Sequence, residues 1–188
     1  MNKKFSRIII ALFVVFIMSF SVLEFALNRN GGSETVKYGE LRFVKNQEVG
    51  GENWILQGTN FYLNYSPSLF DNVNFTSEQK NFINNLKSSQ KVYFNLDYNN
   101  SMQAQSASKL YNYFNSFLKV VPASDDKTTA MEKDIPLINC QNSNYLVILF
   151  KEGLKSFKLE GSCLYIYADT ENDSKILVDK ILIEVLYV

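Results

Sequence analysis

Residues Tyr145 to Phe150 form an unbroken run of aromatic and aliphatic side chains, Tyr-Leu-Val-Ile-Leu-Phe. A strand with one wet face alternates apolar and polar residues; a short run without alternation belongs in the middle of a sheet, covered on both faces. The residues that follow fit such a sheet. Glu152 and Gly153 turn the chain into Ser156–Leu159, which reads as an antiparallel neighbour, and Cys163–Ala168 is a second apolar strand. Asp169–Asp173 then leads into a closing helix. Ile176, Leu177, Ile181, Ile183, Val185 and Leu186 surround much of its circumference, and Lys175, Asp179, Lys180 and Glu184 leave only a narrow polar stripe. A helix this apolar is buried or packs against a partner.

The start of the chain sets its compartment. Lys3, Lys4 and Arg7 precede an apolar run from Ile8 to Leu27 that is broken by one charge, Glu24. A run of this length spans a bilayer, and a basic flank stays cytoplasmic. Ser19-Phe20-Ser21 is a poor cleavage site, so residues 1–27 read as a retained signal anchor, with a cleaved signal peptide as the alternative. Residues 28–36 read as a flexible, glycine-containing stalk. Residues 37–188 are then an extracytoplasmic domain of a single-pass cell-membrane protein. From Ala26 onward the chain carries sixteen basic and eighteen acidic residues of the nineteen of each in the whole. That balance argues against nucleic acid as a partner. The chain has no histidine, which removes imidazole acid–base chemistry and Ser-His-Asp triads. No catalytic residue is identified.

Within the domain, Leu41–Val44 is a short strand, and Trp54–Leu56 and Thr59–Leu63 flank Gln57-Gly58 as a hairpin. Trp54 belongs at a core edge. Thr76 and Gln79 have capping-box spacing ahead of a helix bearing Phe82, Ile83 and Leu86. Lys91–Asp97 is a strand. Ala107, Leu110, Tyr111, Phe114, Phe117, Leu118 and Val121 then fall at steps of three and four, predicting a helix stopped by Pro122. Ala123–Asp134 reads as an exposed loop. The alternation predicts an α/β fold: a mixed sheet covered by about three helices, preceded by the transmembrane helix.

The only two cysteines are Cys140, placed at the end of a strand Leu137–Cys140, and Cys163, at the start of another. They lack the Cys-x-x-Cys spacing of redox pairs, and export favours oxidation. A structural disulfide is expected; closing a loop of about 24 residues contributes about 3 kcal/mol in the chain-entropy model.

Phe61–Pro67, Val92–Asp97, Ile135–Cys140 and Glu160–Cys163, the last with its strand and closing helix, resemble a group of uncharacterised archaeal proteins with one N-terminal membrane anchor and an exported α/β domain. The similarity spans most of the exported domain. It implies topology and compartment, with a cysteine before the central strand accompanying one before the last strand. No activity or catalytic residue is established for that group, so no function is carried over. Separately, Asp97, Asn99 and Ser101 resemble a degenerate form of the Asp-x-Ser-x-Ser metal motif of von Willebrand factor A-type adhesion domains. With Asp169 they form a candidate site for Ca²⁺ or Mg²⁺; an Asx-turn and helix cap explain the same residues without a cofactor. Asn64, Asn74, Asn99 and Asn172 head glycosylation acceptor patterns, Asn64 being disfavoured by nearby Pro67.

The expected function is therefore non-enzymatic: a membrane-tethered surface domain for envelope structure or partner binding, the partner being an envelope protein or a second copy. The alternative is a divalent-metal-dependent adhesion module or enzyme using Asp97 and Asp169.

Overall fold

The computed structural model describes residues 34–48, 51–95, 101–141 and 143–187. Two sheets organise them. The first is antiparallel, in the order β1 (Thr35–Tyr38), β2 (Leu41–Glu48), β3 (Gly51–Leu56), β4 (Tyr62–Leu63). Gly39 makes the two-residue turn between β1 and β2 at φ +56°, a conformation an L side chain adopts only with strain. The expected hairpin is β3–β4, with Trp54 opposite Leu63 and Ile55 opposite Tyr62. Period-two alternation turns Phe43, Trp54, Leu56 and Leu63 inward onto Phe70, which a 3-10 helix at Pro67–Asn72 supplies. The stalk boundary read at residue 36 falls inside β1, because Thr35 and Val36 already pair with Val44 and Phe43.

The second sheet is mixed and runs β6-β5-β7-β9-β8. Its strands are β5 (Lys91–Asn95), β6 (Lys119–Ala123), β7 (Leu146–Lys151), β8 (Ser156–Glu160) and β9 (Cys163–Tyr167). All are parallel except β8, which pairs antiparallel with β9. The central run is β7, and Val147, Ile148, Leu149 and Phe150 are all buried. One face packs Val92, Phe94, Ile148, Phe150, Leu164 and Ile166 under three helices, α1 (Ser77–Ser88), α2 (Ser101–Phe114) and α4 (Glu171–Tyr187). The other face packs Tyr93, Val147, Leu149 and Cys163 with Ala123, Ile138 and Cys140. The α/β class with a mixed sheet is thus observed, although the strands form two sheets rather than one.

Local chemistry explains the helix starts. Thr76 accepts a hydrogen bond from the Gln79 amide at 3.2 Å, and the Gln79 side chain accepts one from the Thr76 amide at 3.0 Å, completing the capping box. Gln79 also donates to the Phe157 carbonyl at 3.0 Å, fastening α1 to β8. Thr170 caps α4, accepting from the Asp173 amide at 3.1 Å.

Four readings are corrected. The helix expected to reach Val121 ends at Phe114, and Lys119–Ala123 is strand β6. Pro122 is tolerated there because β6 is an edge strand that pairs with β5 alone, so its missing N–H removes no ladder bond on the open side. The loop read over Ala123–Asp134 contains a short helix, α3 (Lys127–Lys133). It is set by Asp126 accepting from the Thr129 amide at 2.6 Å, a cap that needs no apolar periodicity. The strand read over Leu137–Cys140 is only a single bridge from Leu137 to Ser124, with Cys140 in a turn. Finally, Ser156–Glu160 neighbours β9, not β7, because the tight turn at Gly161 folds it directly back on the next strand.

The disulfide joins Cys140 to Cys163, 23 positions apart with Cα atoms 5.6 Å from each other. It ties the segment entering β7 to the first residue of β9. Among the described residues no helix is long and apolar enough to cross a membrane; the segment read as an anchor, residues 1–27, lies outside them.

Candidate functional site

The all-round burial of α4 follows from its place between two cores. Leu177, Val178, Ile181, Leu182 and Val185 face the second sheet, and Ile183 with Ile176 and Leu186 faces the first. Asp179 is therefore fully buried in the middle of this helix. A lone buried carboxylate is costly, and this one is met from two directions. The backbone amides of Asn64 and Tyr65, just past β4, donate to it at 2.6 and 3.1 Å. Lys109 of α2 approaches its other oxygen at 2.7 Å, and the Asn64 side-chain amide lies at 3.4 Å from that oxygen. Burial pushes the Asp179 carboxyl above its ordinary range, against the pull of Lys109 and the two amides. Burial likewise lowers Lys109, against the pull of Asp179. The bridge joins three elements: the end of the first sheet, α2 and α4.

Above this bridge the surface is concave. Lys109 lies 4.5 Å from the centre of the Tyr62 ring, and that ring is about half exposed. Two grooves meet at Tyr62 and Asn60, which line both. The first, about 550 Å³, runs over the outer face of the first sheet along Asn46, Asn53, Ile55 and Asn64. The second, about 900 Å³, lies between the β3–β4 hairpin and α2 along Phe61, Lys109, Tyr113 and Leu182. Their volumes fall in the range of about 300–1,000 Å³ typical of small-molecule sites. Among the lining residues Lys109 alone is charged, and its charge is matched by Asp179.

Of the residues singled out from sequence, Cys140 and Cys163 are brought together as a disulfide. Asp97 and Asn99 lie outside the described residues, as does the side chain of Ser101, the first residue of α2. Asp169 is exposed beyond the end of β9. Strands β5 and β9 do run parallel and release the chain at one sheet edge, with β7 between them. On that edge Lys151 of β7 pairs with Asp125 at 2.7 Å. Among the described residues no group of three or more metal-binding side chains gathers. Of the acceptor asparagines, Asn74 and Asn172 are exposed, and Asn172 accepts from the Tyr65 hydroxyl at 2.6 Å. Asn64 is half-buried with its amide toward Asp179, and Asn99 lies outside the described residues.

Sequence reading missed the groove. Its one usable signal was Asp179, a carboxylate midway along a helix apolar over most of its circumference, which implies a buried partner without naming it. Comparison with protein-family models, with curated proteins and with solved structures finds no match.

Proposed function

We propose that this chain is a membrane-tethered extracytoplasmic binding domain, non-enzymatic, which presents the double groove at Tyr62 to a component of the cell envelope. The observation that carries the reading is the groove itself. It is open, sized for a ligand, and floored by an ion pair whose charges are already matched. Such a surface offers shape, ring faces and amide hydrogen bonds; it holds no unpaired acid, base or nucleophile poised for chemistry. The Cys140–Cys163 disulfide supports the compartment, because such bonds persist in oxidising surroundings. The basic flank and apolar run at the N-terminus support the tether.

The test is site-specific photo-crosslinking in intact membranes. A photoreactive residue at position 62 is expected to yield a discrete adduct. The same residue at Leu154, an exposed site in the β7–β8 turn, should yield none. Equal labelling at both positions, or none at 62, refutes the groove as the binding surface. Protease added to intact cells should digest the domain; full protection would place it inside. The alternative, a divalent-cation module at Asp97 and Asp169, keeps one supporting observation, the shared edge of β5 and β9. A melting temperature that rises with Ca²⁺ or Mg²⁺ and falls with EDTA would favour it.

A further inference from the structure

We propose that the double groove takes an uncharged carbohydrate chain, seated on the amide-lined face of the first sheet and crossing Tyr62 into the second groove. The inference rests on the binding-domain reading and supplies the ligand class.

Charge decides the first step. No charged side chain lines the first groove, and the ammonium in the second is held by Asp179 at 2.7 Å. A phosphate or sulfate finds no unmatched cation there, and a cationic ligand finds no unmatched carboxylate. A neutral ligand is left, and the amides define its polarity.

The register of the first sheet places Asn46 opposite Asn53 and Ile55 opposite Tyr62. Strand alternation sends these side chains to the face opposite Phe43, Trp54 and Leu63, which fill the core. Asn60 stands exposed on the hairpin beside them. A carboxamide carries two donors and an oxygen acceptor on one rigid plane. Sugar hydroxyls are each donor and acceptor, so vicinal hydroxyls match the carboxamides of Asn53 and Asn60 in either orientation. The hydroxyl of Thr59 is not available for this: it donates to the Leu56 carbonyl and accepts from the Phe61 amide.

Tyr62 supplies the other half of the chemistry. A pyranose has one face of C–H groups that packs flat on an aromatic ring. Lys109 lies over one face of the Tyr62 ring at 4.5 Å, and Tyr62 is 47% exposed, so part of it is open to a ligand. Beyond it the second groove is more apolar, with Phe61 and Tyr113 packed edge to face at 5.7 Å. A chain of alternating hydroxyl-rich and C–H-rich faces suits a surface that changes from amide to aromatic along its length.

The experiment uses the full chain in detergent micelles. It measures binding of neutral oligosaccharides (chitotetraose, cellotetraose, mannotetraose and maltotetraose) beside a sulfated oligosaccharide, by isothermal titration and by ligand-observed NMR. At least one neutral oligosaccharide should bind, with its ring C–H protons nearest the protein. Tyr62→Ala should weaken it about tenfold, the size of one lost ring contact. Asn60→Ala, a change on an exposed turn, should also weaken it while leaving the melting temperature unchanged. Binding of the sulfated oligosaccharide alone, binding of none, or a neutral ligand indifferent to Tyr62→Ala overturns the proposal. If position 62 still crosslinks to a protein while no neutral oligosaccharide binds, the carbohydrate assignment fails and the binding-domain reading stands. If neither occurs, both fail.

Discussion

Replacing Asp179 by alanine tests the structural basis of the groove most directly. The substitution removes a fully buried carboxylate. It strands four donors at once: the backbone amides of Asn64 and Tyr65, the Asn64 side-chain amide and the ammonium of Lys109. Breaking one side of a buried pair costs about 3–5 kcal/mol. Lys109 keeps 16% of its side chain exposed, so its head can reach water through the second groove, and the lower half of that range applies, about 3–4 kcal/mol. For a domain of roughly 150 residues each kcal/mol moves the midpoint by about 2–4 °C, giving a drop of about 6–16 °C. Urea unfolding followed by circular dichroism measures the same loss independently. The double variant Lys109→Met with Asp179→Asn should be milder than the sum of its single changes by about 1–2 kcal/mol. In it the Asn oxygen still accepts from the two amides and no charge is left alone. Lys109→Met by itself gives the sign of the pH effect. Burial already raises Asp179, and removing its counter-ion raises it further. A carboxyl whose folded pKa is raised contributes stability fully below its unfolded value, near 3.9, and loses that contribution as pH rises through the folded value. The Lys109→Met deficit should therefore be largest at neutral pH and shrink on acidification. A loss under about 1 kcal/mol for Asp179→Ala, or a deficit that grows in acid, refutes the reasoning.

Three further outcomes are expected. Cys140→Ser should lower stability by about 3 kcal/mol in the chain-entropy model for a bridge across 23 positions, and alkylation without reductant should leave both wild-type cysteines unmodified; labelling of either contradicts the bond. Gly39→Ala should cost about 1 kcal/mol or more in thermal melts, since the site sits at φ +56° and a Cβ there meets the Tyr187 ring; a neutral result would show that the β1–β2 turn is not as described. Burial raises Asp125, but the bond and charge of Lys151 together with bonds from Asn95 and the backbone outweigh this and leave the carboxyl below its usual range. The stability it contributes is present above the unfolded value near 3.9 and lost as pH falls through the lowered one. The small gap between wild type and Lys151→Met, under about 1 kcal/mol because the pair is partly exposed, should close below that pH.

What the sequence discloses follows from how local each signal is. The run at Tyr145–Phe150, the Thr76–Gln79 capping box and the apolar ring of α4 are each written within a short stretch, and each appears where its pattern places it, except that the strand begins at Leu146 and Tyr145 is exposed. The disulfide was legible because two cysteines allow only one pairing within the chain. The end of α2 was not. Phe117, Leu118 and Val121 extend its period of three and four, yet Phe117 is exposed in a turn and Val121 belongs to β6. An edge strand of five residues with a proline has no strong signature of its own. The groove was illegible for a different reason: its floor joins Asn64 and Tyr65 to Asp179 across 115 and 114 positions. Only the packing of the first sheet against α4 brings them together.

That same packing ties stability to binding. One wall of the second groove is the β3–β4 hairpin and the other is α2, and Asp179 accepts both from the amides just past β4 and from Lys109 of α2. A ligand spanning Tyr62 therefore engages walls whose spacing the buried pair fixes. If it binds the folded domain and not the unfolded chain, it adds about 2.7 kcal/mol at a concentration one hundred times its dissociation constant. The wild-type midpoint should rise accordingly with the oligosaccharide that binds best. In Asp179→Ala the walls lose one of their ties and keep the Phe61–Tyr113 contact, so in part of the population the ligand must draw the hairpin and α2 back into register before it makes its contacts. Its apparent affinity then falls by the fraction of molecules that hold the groove open. The shift in midpoint at the same ligand concentration should shrink with it, although no residue that touches the ligand has been changed. An undiminished shift in Asp179→Ala would show that the hairpin keeps its place without the carboxylate, and that the buried pair serves the fold alone.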